Sequence, residues 1–153
     1  MCWGQAASVT FLAIGAAAAV VTIVQRRPAA VSLALAYFAL MEGLQVWGYT
    51  VIDACGTPEN QAVTLLSYLH IAFQPLVINA FALELVPAER KARARSWVLG
   101  AAALASLIMV LQLLPLPAAG PCRPGDALCG AVLCTVSGSW HIAWDVPYNG
   151  LFV

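Results

Sequence analysis

The sequence predicts an all-α, polytopic transmembrane helix bundle of at least four spans, with its amino terminus outside and a partial fifth segment. Three observations carry that prediction. Of the 153 residues, 62% are hydrophobic and only 9% charged, where a soluble domain carries about a quarter charged residues. Mean hydropathy is +0.86. Four apolar runs reach or approach the roughly 20 residues a helix needs to cross a hydrocarbon layer about 30 Å thick. Finally, six of the seven basic residues are confined: Arg26 and Arg27 follow the first run, while Arg90, Lys91, Arg93 and Arg95 precede the fourth. Net charge is zero and no basic tract points to nucleic acid. The lipid bilayer is therefore the first partner, and the uniform composition predicts a single domain over residues 1–153.

The first run, Ser8–Gln25, is preceded by MCWGQAAS, which lacks a basic start. Its arginines come after the apolar stretch, the reverse of a secretory signal, so the helix is expected to stay. The second and third runs are Ala30–Ile52 and Ala62–Val86; the fourth is Trp97–Leu116. If each crosses once, both basic clusters share one side, which the positive-inside rule places in the cytoplasm. The Asp53–Gln61 and Pro117–Gly138 loops then face outward. A fifth apolar stretch begins near Ser139 and ends at Val153, too short for a comfortable span. It reads as a re-entrant or interfacial segment, or as the start of a fifth span in a longer protein. The second reading is favoured because NGLFV carries no charged anchor.

On this topology Cys2, Cys55, Cys122, Cys129 and Cys134 all lie on the outer side. An oxidising compartment permits disulfides, and five cysteines allow at most two bridges within one chain. At least one bridge is expected within Cys122-x6-Cys129-x4-Cys134, with Cys55 or Cys2 taking the third thiol. A thiolate metal site is disfavoured by the absence of C-x2-C spacing.

Charged groups in the hydrocarbon layer cost roughly 2.5–3.5 kcal/mol on insertion scales, so each one asks for a reason. They form stripes. Glu42, Gln45 and Tyr49 stand at i, i+3 and i+7, as do Ser67, His70 and Gln74. His141, Asp145 and Tyr148 stand at i, i+4 and i+7 in the last segment. Each set lies on one face if its segment is helical. Counted from the expected helix ends, Glu42 lies about 15 Å and His70 about 12 Å deep, close enough to meet. Pro75 removes a backbone donor and frees the Ile71 carbonyl, which opens space beside Gln74.

The leading functional reading is a structural or accessory subunit whose polar cluster specifies packing, docks a larger membrane complex or builds a homo-oligomer. The sharper alternative is a metal-dependent membrane hydrolase acting on lipid-like substrates. Glu42, His70, His141 and Asp145 would hold zinc or iron, and Ser67 would bind a substrate oxygen. That set is similar to the His, Asp and Ser residues of membrane hydrolases of the alkaline ceramidase kind, with His141-x3-Asp145 standing nearest to their paired HxxxH. A proton-coupled transporter relaying through Glu42 and His70 is a further alternative. Haem or another pigment is a weaker reading, since axial histidines come in facing pairs and these two stand at different depths. Glu84 and Glu89 are expected to pair with Arg90 or Lys91, and Asn79 to bond a neighbouring helix.

Several segments together resemble an uncharacterised family of bacterial multi-pass membrane proteins, a domain of unknown function. They are the opening MCW, AYFALMEGLQ (Ala36–Gln45), YLHIAFQP (Tyr68–Pro75), the VPAE that ends the third span, GPC…LCG…LC, and SGSWHIAWDVPYNG (Ser137–Gly150). The resemblance implies about seven helices in all and a bacterial cytoplasmic (inner) membrane location with a periplasmic amino terminus. It implies no reaction.

Overall fold

A computed structural model describes residues 4–139 and 141–151; Cys2, Trp3 and Trp140 lie outside the described residues. The expected helical class holds. Four helices, α1 (Gln5–Val24), α2 (Ala29–Thr50), α3 (Pro58–Glu84) and α4 (Ala88–Leu111), are each long and apolar enough to cross a membrane. Their outer faces carry exposed Ile14, Leu33, Phe73 and Leu104. That is the all-round apolarity of helices whose solvent is lipid rather than water.

The helix ends follow local chemistry. Thr57 precedes α3 and its hydroxyl accepts from the Asn60 N–H, with Pro58 in the first turn and Glu59 behind it. A capping threonine, a first-turn proline and a first-turn acid favour a helix start there. So α3 begins four residues before the expected Ala62. His70 consequently lies about 18 Å into its helix rather than about 12 Å. Helix α4 likewise starts nine residues before Trp97, because AERKARARS is rich in strong helix formers. It ends at Leu111, short of Pro115 and Pro117, where a helix cannot continue freely. Lys91 near its start pairs with Glu84 at the end of α3 at 2.6 Å, so the expected ion pair forms.

Each helix packs mainly on its neighbour in the chain: α1 on α2, α2 on α3, α3 on α4. Small residues let the first pair approach closely, and a Cβ built on Gly15 would stand 3.0 Å from that of Ala39. Gly43 faces Leu12 and Gly48 faces Ile142, whereas a Cβ on Gly100 would meet nothing within 4 Å.

The last segment corrects the sequence reading. It forms neither a helix nor a re-entrant turn of one but a two-stranded antiparallel hairpin. Strand β1 (Cys134–Ser137) pairs with β2 (Ile142–Asp145), with Cys134 opposite Asp145 and Ser137 opposite Ile142. The hairpin leans on α3 and α2, covering the helix ends that carry the α2–α3 loop. His141, Asp145 and Tyr148 therefore share no helical stripe, because the backbone between them is extended and alternates its side chains with period two. His141 is exposed, while Tyr148 is buried with Tyr68, Ala72, Cys122 and Val146 in a small core against the end of α4.

Two disulfides tie this end together: Cys55–Cys134 joins the α2–α3 loop to β1, and Cys122–Cys129 closes a short loop. The expected bridge within the Cys122–Cys134 cluster forms, and Cys55 takes the third thiol.

Candidate functional site

Two polar assemblies stand out, one between α2 and α3 and one beneath the hairpin. In the first, the rings of Tyr37 and His70 stack with centroids 3.8 Å apart and planes at 20°. The Tyr37 hydroxyl also donates to the His70 carbonyl. That carbonyl lies one residue before Ile71, whose own carbonyl loses its partner to Pro75. The tyrosine thus braces α3 on its second side, at the turn where the proline weakens it. Asn79 braces the next turn, its amide donating to the Pro75 carbonyl at 2.8 Å. The bond runs within α3 and not to a neighbouring helix, because the proline leaves a carbonyl within reach one turn away.

Toward the hairpin end stand Ser67, one turn back along α3, and Glu42, on α2 beyond Tyr37. Glu42 Oε2, Ser67 Oγ and His70 Nε2 are all buried, and none has a hydrogen-bond partner among the described residues. Glu42 and His70 therefore do not bond each other. Gln45, from the same stripe, is satisfied differently: it accepts from the Ser8 hydroxyl at 3.2 Å, which ties α2 to α1. Gln74 and Tyr49 are half-buried and line the same two helices. Burying a polar atom without a partner costs several kcal/mol in an apolar medium. Three such atoms fall on this one seam of two packed helices, and the fourth among the described residues, Ser106 Oγ, stands on α4.

The four-ligand metal shell is not assembled. Among the described residues, no three His, Cys, Asp or Glu side chains stand together as a metal site. The reason is the hairpin, which places His141 and Asp145 on extended backbone at the mouth of the bundle. The His141 ring nitrogen Nδ1 lies 2.6 Å from the Ile142 carbonyl.

The second assembly was not evident from sequence. Asn60, Thr64 and Thr135 are sealed from solvent. Asn60 donates to the carbonyls of Val51 at 2.7 Å and Thr135 at 3.0 Å, and accepts from the Thr135 N–H at 2.9 Å. Thr64 and Thr135 share a hydroxyl–hydroxyl bond. Outside this node Asp53 takes both the N–H and the hydroxyl of Ser137. These two bonds hold the Asp53 carboxyl below the usual carboxylate range. Asn149 does comparable work at the far end: its amide donates to the carbonyls of Leu111, the last residue of α4, and of Leu114 just beyond it, at 2.9 Å each. The only sequence signal for the first node was Asn60-x3-Thr64 at the start of an apolar helix, a spacing as common at helix caps.

A family model described as a family of unknown function (DUF5765) matches residues 6–153. The resemblance read from the motifs to an uncharacterised family therefore holds. No curated protein and no solved structure matches the chain.

Proposed function

We propose that this chain, which belongs to the family of unknown function DUF5765, is an integral membrane scaffold or accessory subunit. Its α2–α3 seam holds Glu42, Ser67 and His70, and a further transmembrane segment packed against the half-buried Glu42 brings a polar side chain to that seam. The observation that carries this reading is the set of three buried, unpartnered polar atoms on two packed helices. In lipid no water reaches such atoms, so a partner must come from protein. A docked segment that supplies one donor and one acceptor would convert a standing cost into a specific contact. Interhelical bonds of this kind contribute roughly 0.6 kcal/mol each in measured cases, so specificity rather than raw affinity is what the seam provides.

The distribution of charges and bridges supports one orientation in this reading. The end with Arg26, Arg27, Arg90, Lys91, Arg93 and Arg95 faces the cytoplasm. The end with Cys55–Cys134 and Cys122–Cys129 faces an oxidising compartment, as disulfides require. In a bacterial inner membrane this puts the amino terminus in the periplasm.

The test is the mass of the tagged protein extracted from its native membrane in mild detergent. The chain should travel in an assembly well above its own 16.1 kDa. The double variant Glu42→Leu with His70→Leu should remain folded and leave that assembly, because apolar replacements remove the need for a polar partner. A wild-type chain that travels alone, or a folded double variant that stays assembled, overturns the reading.

A further inference from the structure

The basic end of the molecule carries a feature that subunit docking does not use. Arg90, Arg93 and Trp97 stand at i, i+3 and i+7 on α4, so they form one vertical stripe. All three are exposed, Trp97 the most of any large apolar side chain in the structure at 82%. Arg95 and Lys91 lie on the other side of the same helix. Lys91 is neutralised by Glu84, the one ion pair among the described residues, which leaves the stripe arginines without a carboxylate partner. Glu89, four residues before Arg93, makes no ion pair with it. Arg26 and Arg27 rise from the α1–α2 turn at the same end of the row. Six cations and only two carboxylates, Glu84 and Glu89, share this end.

The geometry points to a binding stripe for the phosphate of an anionic phospholipid headgroup, made by Arg90 and Arg93 and levelled by Trp97. A tryptophan at the first apolar turn sits at the depth of the headgroups. Arg93 and Arg90 stand about 6 Å and about 10 Å above it along the helix, the height at which a lipid phosphate meets water. Guanidinium groups hold phosphate oxygens through paired N–H donors, so arginine rather than lysine suits the two positions. The apolar faces of α3 and α4 below, with Leu104 and Leu107 exposed, would receive the tails of the same lipid.

The experiment is a lipid titration of the detergent-purified full chain followed by native mass spectrometry. Phosphatidylglycerol is compared with phosphatidylcholine of the same chains. Phosphatidylglycerol should be retained more tightly. Arg90→Gln with Arg93→Gln should weaken it about 25-fold and erase the preference, since each basic residue near the headgroups contributes about fivefold. Arg95→Gln, on the opposite side, should change it by less than about twofold. The Arg90→Lys, Arg93→Lys pair keeps the charge and should recover only part of the loss. Equal retention of the two lipids by the wild type overturns the inference, as does an Arg95 effect equal to that of the pair. Full displacement by inorganic phosphate would also overturn it, by assigning the stripe to the free anion.

Discussion

Thr64 and Thr135, 71 residues apart in the chain, share a hydrogen bond of 2.8 Å with both side chains sealed from solvent. The bond sits beside the three that Asn60 makes to Val51 and Thr135, so one node holds the end of α2, the first turns of α3 and the hairpin. Predictions about stability begin there.

Replacing Asn60 by Ala strands the Thr135 N–H and takes one of two donors from the Val51 and Thr135 carbonyls, which keep the Ala54 and Asp53 N–H groups. The orphaned N–H costs about 1–3 kcal/mol and each of the two lost bonds to a carbonyl about 1 kcal/mol, so the loss should reach about 3 kcal/mol or more. Thr64→Val removes the hydroxyl's bonds to the Asn60 carbonyl and to Thr135 but nearly preserves shape, and should cost about 1–2 kcal/mol. Unfolding midpoints in detergent check the order. A Thr64→Val loss as large as that of Asn60→Ala would place the node's strength elsewhere.

The two disulfides should differ in weight. Cys55–Cys134 spans 79 residues and Cys122–Cys129 spans 7. Loop-closure entropy gives about 4.5 kcal/mol for the longer loop and about 2.4 kcal/mol for the shorter. Cys55→Ser with Cys134→Ser should lower the unfolding temperature more than Cys122→Ser with Cys129→Ser. The reverse order would mean that the short bridge acts through the native packing around Tyr148.

Gly48 leaves room for the hairpin. A Cβ there would stand 2.8 Å from Ile142 Cδ1, the far end of a flexible side chain, and 3.4 Å from Thr135 Cγ2. Gly48→Ala should cost about 1–3 kcal/mol by overpacking. Ile142→Val removes the offending methyl and should restore part of that loss in the double variant. A double-mutant cycle with no coupling would show that the hairpin is free to lift from α2.

Acid should loosen the hairpin through Asp53. Its carboxyl is held below its unfolded value by the two Ser137 bonds. The contribution is therefore present above the ordinary carboxylate pKa and is lost as pH falls through the depressed folded value. Stability measured from pH 6 down to pH 2 should fall less steeply for Asp53→Asn than for wild type. Parallel slopes for the two proteins would remove Asp53 from the acid response.

How much of this was legible in the sequence varies by element. The four helices were, because an apolar run of twenty residues has few other fates. Their ends were less so: Thr57-Pro58 and the Ala-rich basic stretch before Trp97 extend α3 and α4 beyond the hydropathy limits. The hairpin was hidden because His141, Asp145 and Tyr148 fit a helical spacing, and strands of four residues leave little pattern. Its cues were Thr135-Val136 and the Gly138-Ser139 turn. The spacing of Ser67, His70 and Gln74 made the α3 stripe legible, whereas nothing in the sequence marked Tyr37 as the stacking partner of His70. Asn60 could not be found at all, since its partner lies 75 residues away.

The row of helices, each resting on its predecessor, also sets an order of events. Contacts between chain neighbours can form as each hairpin of helices leaves the translocon, so most of the molecule has low contact order and should assemble during synthesis. Strand β1 cannot join until some 130 residues have been made, and only then can Cys134 reach Cys55. The bridge is thus a timestamp: a chain carrying it has brought β1 back onto the α2–α3 loop, and one lacking it has been caught on the way.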